Sequence, residues 1–203
     1  MAREKTGIRK KGEGAYHHGD LKTSLKKAAL RLVREKGPRG FSINEASRLA
    51  GVTAGAPYRH FADKEALLAD VARDGYELMA DEIRIAISKV SSLRNKIVES
   101  GMAYIRFAIG HPDYFTVMFQ AGLDKSYYPE LAQTAREAFA IILELSTQLE
   151  KTPELGLQRA SAAWGLVHGL ATLEAEGGLL VMPHRPNLEH LRPLLERFIS
   201  GFY

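Results

Sequence analysis

The sequence predicts an all-α fold, and three observations support that prediction. Apolar residues recur at three- and four-residue spacing along most of the 203 residues. Most of these stretches open at Ser, Thr, Asp or Pro, and several close at a glycine. Nowhere do apolar and polar residues alternate with the two-residue period of a half-buried strand, and no internal repeat is present.

Residues 1–15 combine basic side chains with Gly7, Gly12 and Gly14 and hold hardly any large apolar group, so a flexible basic tail is expected. The first helix is read over "DLKTSLKKAALRLVREKG", with Leu21, Leu25, Ala28, Ala29, Leu32 and Val33 on one face, Asp20 as N-cap and Gly37 as stop. Ser42-Ile43-Asn44-Glu45 has the capping-box pattern, in which serine and glutamate satisfy each other's backbone donors, and it opens a short second helix ending at Gly51. Thr53 is placed to cap a third helix running to His60 or Phe61. Pro57 falls at its fourth position, where it removes the donor for the Thr53 carbonyl and restricts Ala56, so a distorted or late first turn is expected. Two short helices joined by a glycine-containing turn make a helix-turn-helix, whose second helix enters the DNA major groove.

Asp63 caps a long helix carrying Leu67, Leu68, Val71, Leu78, Ile83 and Ile87, a strut of roughly 35 Å at about 1.5 Å per residue. Gly75 inside it costs about 1 kcal/mol against alanine and marks an expected weak point. A helix over residues 91–110 follows, then a short one at "HPDYFTVMFQ" and a longer one from Pro129. Thr152-Pro153, an N-cap with proline at the first helical position, opens the next, which runs to Gly177-Gly178. After "MPHRPN" comes a last segment with Leu188, Leu191, Leu195, Phe198 and Phe202, in which Pro193 predicts a kink or a late start. The count is about nine helices.

Charge divides the chain. Residues 1–62 contain fourteen Lys and Arg against five Asp and Glu, a net of +9, while the remainder carries −5. A basic head on an acidic body suits a module that displaces counterions from a polyanion, joined to a different kind of domain. The absence of cysteine excludes disulfides, thiolate metal sites and cysteine nucleophiles. No apolar run approaches the ~20 residues that span a bilayer, and the basic start has no apolar segment behind it as a signal peptide would, so a cytoplasmic location is expected.

The stretch "ALRLVREKGPRGFSINEASRLAGVTAGAPYRHFADKEALL" resembles the DNA-binding domain of the tetracycline-repressor (TetR) family of bacterial transcription regulators. The matching features are Gly37 after the first helix, Phe41-Ser42-Ile43, Ala50-Gly51-Val52, Tyr58 with Phe61, and Lys64-Glu65 followed by Leu67-Leu68. "AAWGLVHGLATLEAEG", with Trp164, His168 and Gly169, resembles a Trp-His-Gly subgroup of its C-terminal domains. The resemblance implies a three-helix DNA-binding domain at residues 16–62, and an effector-binding and dimerisation domain at 63–203. It further implies a homodimer that binds a palindromic duplex as a repressor and is released by a small molecule. A regulator without such an effector, acting as an activator or under a protein partner, is the alternative.

For DNA, the resemblance points to Thr53, Ala54, Gly55 and Tyr58, with Arg59 beside them. Small residues there let backbone approach base edges, and the methyls of Ala54 and Thr53 suit thymine. Ser42, at a helix end facing phosphate, and Lys64 are further candidates, each with a structural reading beside the functional one. Arg3, Lys5, Arg9, Lys10 and Lys11 are read either as a solvated tail or as a minor-groove arm. Tyr104, Phe107, Met118, Phe119, Trp164 and His168 are the effector candidates, core packing being the other reading of each and a hydrogen-bonded core histidine that of His168. Ser161, Gly165 and Gly169 form a stripe at four-residue spacing and, with Leu195 and Phe198 of the last helix, are expected at a dimer interface built as a four-helix bundle. No metal-ligand motif, nucleophile elbow or phosphate-binding glycine loop is present, so neither catalysis nor a cofactor is expected.

Overall fold

Eight α-helices are found in the computed structural model, which describes residues 18–181 and 188–201. They are α1 (His18–Lys36), α2 (Ile43–Leu49), α3 (Lys64–Ser88), α4 (Leu93–Gly110), α5 (Pro112–Gln120), α6 (Pro129–Leu149), α7 (Pro153–Ala175) and α8 (Leu188–Ser200). The Arg3 to Lys11 cations and Phe202 lie outside the described residues.

The caps read from sequence mostly form. Ser42 Oγ accepts from the Glu45 amide at 3.3 Å while Glu45 accepts from the Ser42 amide at 2.9 Å, completing the capping box of α2. Asp63 caps α3 through the Ala66 amide at 2.7 Å, and Thr152 caps α7 through that of Leu155. Asp20 is not a cap, because α1 begins at His18 and runs through it. Gly51 has φ 71°, the left-handed geometry that ends α2 and turns the chain, which glycine adopts without steric cost.

The third helix is the main departure. Between Thr53 and Phe61 the chain forms a turn, with the Ala56 amide on the Thr53 carbonyl at 3.0 Å, and then one 3₁₀ turn over Pro57–Arg59. Pro57 lacks the amide that would have reached Thr53 in an α-helix, so that carbonyl accepts one residue earlier and the tighter turn results. Pro57 itself is buried. The expected distortion therefore extends over the whole segment. In the last helix Pro193 causes no late start, since α8 is continuous from Leu188 through it.

Packing explains Gly75. A Cβ there would lie 2.7 Å from Met118 Sδ and 3.1 Å from Tyr114 Cδ1, so α5 sits directly on the backbone of α3. The glycine is a site of close approach and not the weak point its propensity suggests. α3 packs on α1, α4, α5 and α6; α4 also meets α7 and α8. One continuous cluster of buried residues runs from Leu21 to Ile199. At the α1–α3 seam Lys22 and Lys26 meet Asp70 at 3.0 and 3.2 Å, and Lys26 also meets Asp74. Burial works to raise the Asp70 pKa, but the bonds and charges of the two lysines outweigh it and hold the carboxyl below its usual value.

α7 is buried along Ala160, Ala163, Val167 and Ala171 and exposed at Ser161, Gly165 and Gly169, while Leu157, 50% exposed, and Trp164, 44% exposed, lie between the two stripes. No helix among the described residues is long and apolar enough to cross a membrane.

Candidate functional site

Two separate places on the chain have the character of a site. The first is the turn after α2. Thr53, Ala54, Gly55, Tyr58 and Arg59 are all exposed there, around the buried anchor of Pro57. A side chain at Gly55 would meet nothing within 4 Å, so internal packing does not require glycine at that position. Ser42 stands exposed at the N-terminus of α2 with its capping bonds made. The Glu45 carboxyl of that box is held at about 2 by its bonds from Lys36 Nζ at 2.6 Å and from the Ser42 amide. Lys64 is occupied within the chain: its Nζ donates to the Pro38 carbonyl at 3.3 Å and lies 5.5 Å from the centre of the Phe41 ring, tying α3 to the loop before α2.

The second place is a cavity of about 970 Å³ bounded by α3, α4, α5, α6, α7 and α8, at the upper end of the ~300–1,000 Å³ usual for ligand pockets. Of the six effector candidates, Tyr104, Phe119 and Trp164 line it. Phe107 and Met118 do not; both are buried in the core, Met118 against Gly75. His168 does not reach the wall either. It stands behind it among aromatic rings, 4.7 Å from Phe119 and 6.0 Å from Trp164, with Nδ1 2.8 Å from the Tyr104 hydroxyl. Burial lowers the His168 pKa, which keeps the imidazole neutral at pH 7 and able to accept the Tyr104 proton. Burial also raises the Tyr104 pKa, with a hydrogen bond from Trp164 acting against it, so the hydroxyl stays a donor. His168 thus fixes the orientation of Tyr104 at the wall and makes no contact with the cavity itself.

Sequence reasoning missed several wall residues, above all Tyr76, Lys125 and Arg136. Lys125 lies in a 3₁₀ turn, Lys125–Tyr127, too short to leave a periodic pattern. Of the dimer candidates, Ser161, Gly165 and Gly169 are exposed, and a Cβ at either glycine would meet nothing within 4 Å; Ser161 and Gly165 also line the cavity. Leu195 and Phe198 line it too, and Leu195 is buried near Gly101, so Leu194 carries the apolar outer side of α8. The 3,4 spacing of this helix identified its apolar face without telling which neighbour covers it.

α5 joins α1 to the cavity. Asp113 in its first turn accepts two bonds from Arg34 Nε of α1, at 3.0 and 3.1 Å, and a third from the same guanidinium. Phe119 near its other end forms part of the cavity wall.

Two family models match the chain: the bacterial regulatory proteins of the tetR family over residues 25–71, and the tetracyclin repressor-like C-terminal domain over residues 97–198. A search of curated proteins found no match. Among solved structures, a protein of unknown function from Rhodococcus sp. RHA1 is 26% identical, with a TM-score of 0.76 over 93% of this chain and 98% of that one. The fatty acid degradation regulator FadR from Bacillus halodurans is 15% identical, with a TM-score of 0.72 over 94% and 97%. FadR from Bacillus subtilis, solved in complex with stearoyl-CoA, is 15% identical with a TM-score of 0.68 over 89% and 98%. With a C-terminal model covering half its length, an N-terminal model over the helix-turn-helix and the same fold in these structures, the chain belongs to the tetracycline-repressor family of DNA-binding transcription regulators.

Proposed function

We propose that this regulator is a cytoplasmic repressor that binds a palindromic operator as a homodimer and leaves it when a small molecule fills the cavity. The observation that carries this reading is α5, which bonds to α1 of the DNA-reading part and lines the cavity with Phe119. A ligand that displaces Phe119 moves α5, and α5 rests on α3 at Gly75 and holds Arg34 of α1. The recognition segments of a dimer then leave the spacing of successive major grooves.

At the DNA, Thr53, Ala54 and Gly55 bring backbone and methyl groups to base edges, while Tyr58, Arg59 and Ser42 bind the phosphate backbone. Lys64 acts by fixing the neighbouring loop. Dimerisation uses the bare side of α7, Ser161, Gly165 and Gly169 admitting a second helix closely, with the outer side of α8 beside it. By its Trp164, His168 and Gly169 the effector domain is of the Trp-His-Gly kind. Ligand control gains support from the FadR relative solved with stearoyl-CoA. No catalytic role is assigned.

The test is a selection of bound duplexes from random DNA, followed by a screen of metabolites for release. Recovered sites should be palindromic, and Gly55→Leu should abolish binding to them. Retained binding by Gly55→Leu would refute the reading turn. Release by no metabolite would favour a regulator governed by a protein partner.

A further inference from the structure

We infer that the cavity takes a molecule with an apolar chain and one anionic end group, the anion held by Lys125 and Arg136. This rests on the proposed role of the cavity as the effector site and specifies what it accepts.

Residues 132–143 of α6 contribute to the wall, about 16 Å of helix, which gives a chain a long surface to lie along. Among the described residues the wall is largely hydrocarbon and aromatic and contains no aspartate or glutamate, and Lys125 and Arg136 are its charged residues. Neither is paired with a carboxylate among the described residues: Lys125 Nζ lies 5.9 Å from the centre of the Tyr76 ring, and Arg136 donates to the neutral Gln133 amide oxygen at 2.9 Å. Cations that lie at helix seams are matched with acids, as at Lys22, Lys26, Arg34 and Arg159. Half-buried Lys125 beside apolar wall attracts an anion more strongly than it would in open water, because the local dielectric is lower; the exposed Arg136 adds its charge to that attraction, and both repel a cationic ligand.

The Tyr76 hydroxyl adds a neutral donor. It has no hydrogen-bond partner among the described residues, and burial pushes its pKa to about 12, so it keeps its proton. Lys125 and Tyr76 together therefore offer a charge and a directional donor to a carboxylate or phosphate oxygen. Away from them, Ile97, Leu195, Phe198 and Ile199 give an apolar wall that suits a chain.

The experiment titrates the full-length protein with four probes of one chain length: dodecanoate, dodecyl phosphate, methyl dodecanoate and dodecyltrimethylammonium. Trp164 is the only tryptophan and lines the cavity, so its fluorescence reports occupancy without reference to DNA. At least one anionic probe should bind about tenfold tighter than the ester and the cation, and the carboxylate and phosphate arms distinguish the two head groups. Lys125→Met with Arg136→Met should bring the anion down to the affinity of the ester and leave the ester unchanged, with circular dichroism confirming the fold. Equal binding of anion and cation, an anion affinity indifferent to the double substitution, or no response to any probe would overturn the inference. An operator titration separates the two readings. An anion that occupies the cavity without altering operator affinity refutes effector control and leaves the end-group assignment standing. A different metabolite that releases DNA, while no anionic chain binds, does the reverse.

Discussion

Gly75→Ala sets two physical effects against each other. Inside a 25-residue helix, alanine gains about 1 kcal/mol over glycine in propensity, so the sequence alone predicts stabilisation. The structure predicts the opposite. The added methyl would stand 2.7 Å from Met118 Sδ and 3.1 Å from both Met118 Cγ and Tyr114 Cδ1, and Met118, 3% exposed, has little free space to move into. Overpacking of this kind costs about 1–3 kcal/mol, so the net effect is a loss of about 1 kcal/mol. For a chain of this size that is a melting temperature lower by roughly 2–4 °C. Thermal unfolding followed by circular dichroism, at one protein concentration for parent and variant, reads it directly. A rise in melting temperature would refute the reasoning, because it would show that α5 yields to the methyl and that α3 and α5 are not in tight contact at this point.

Four other outcomes are expected. Arg159→Ala removes a cation only 2% exposed that bonds Glu150 of α6's C-terminal end and the Ile199 carbonyl of α8; leaving both unpaired should cost about 3–5 kcal/mol in denaturant unfolding. Gly165→Leu, at a position open within the chain, should leave the fold intact and shift sedimentation from dimer to monomer. Tyr58→Phe should weaken binding to many duplex sequences alike at fixed salt, the outcome that the phosphate contact proposed for its hydroxyl requires; loss confined to one sequence would contradict that role. Acid should loosen the α1–α3 seam. Asp70 has a depressed pKa in the folded chain, so its stabilisation is complete above the unfolded value of about 3.9 and lost as pH falls through the lower folded value, and Asp70→Asn should lessen that acid sensitivity measured by thermal melts between pH 5 and 3.

Helix positions were legible in the sequence because each is marked locally. Ser42 with Glu45, Asp63 and Thr152 name their helices' first residues through side-chain bonds only a few positions long. The reading turn was legible only in part: Pro57 announced a disturbed first turn, but not that the segment would hold a turn and a single 3₁₀ turn over Pro57–Arg59 in place of a helix. Which side of a helix meets which neighbour was not legible. Leu195 and Phe198 have the spacing of an interface and face the cavity instead, and His168 has the chemistry of a ligand contact and instead holds Tyr104 from behind. Lys125 and Arg136 gain meaning only from a cavity wall that holds no acid among the described residues, a property of assembled surface that no single segment carries.

The seam between α1 and its neighbours has a consequence for how such a regulator can be recombined. α1 is covered by α3 and α5, and its buried leucines belong to the same cluster as Leu67, Leu68 and Val71. A cut after residue 62 therefore leaves the DNA reader without the lid over its own core. Grafting that reader onto the body of a relative would keep its stability only if the graft brought the first turns of α3 and an acid to meet Arg34. A DNA-reading segment that shares its core with α3 is not a portable cassette: it is inherited together with the helices that surround the cavity.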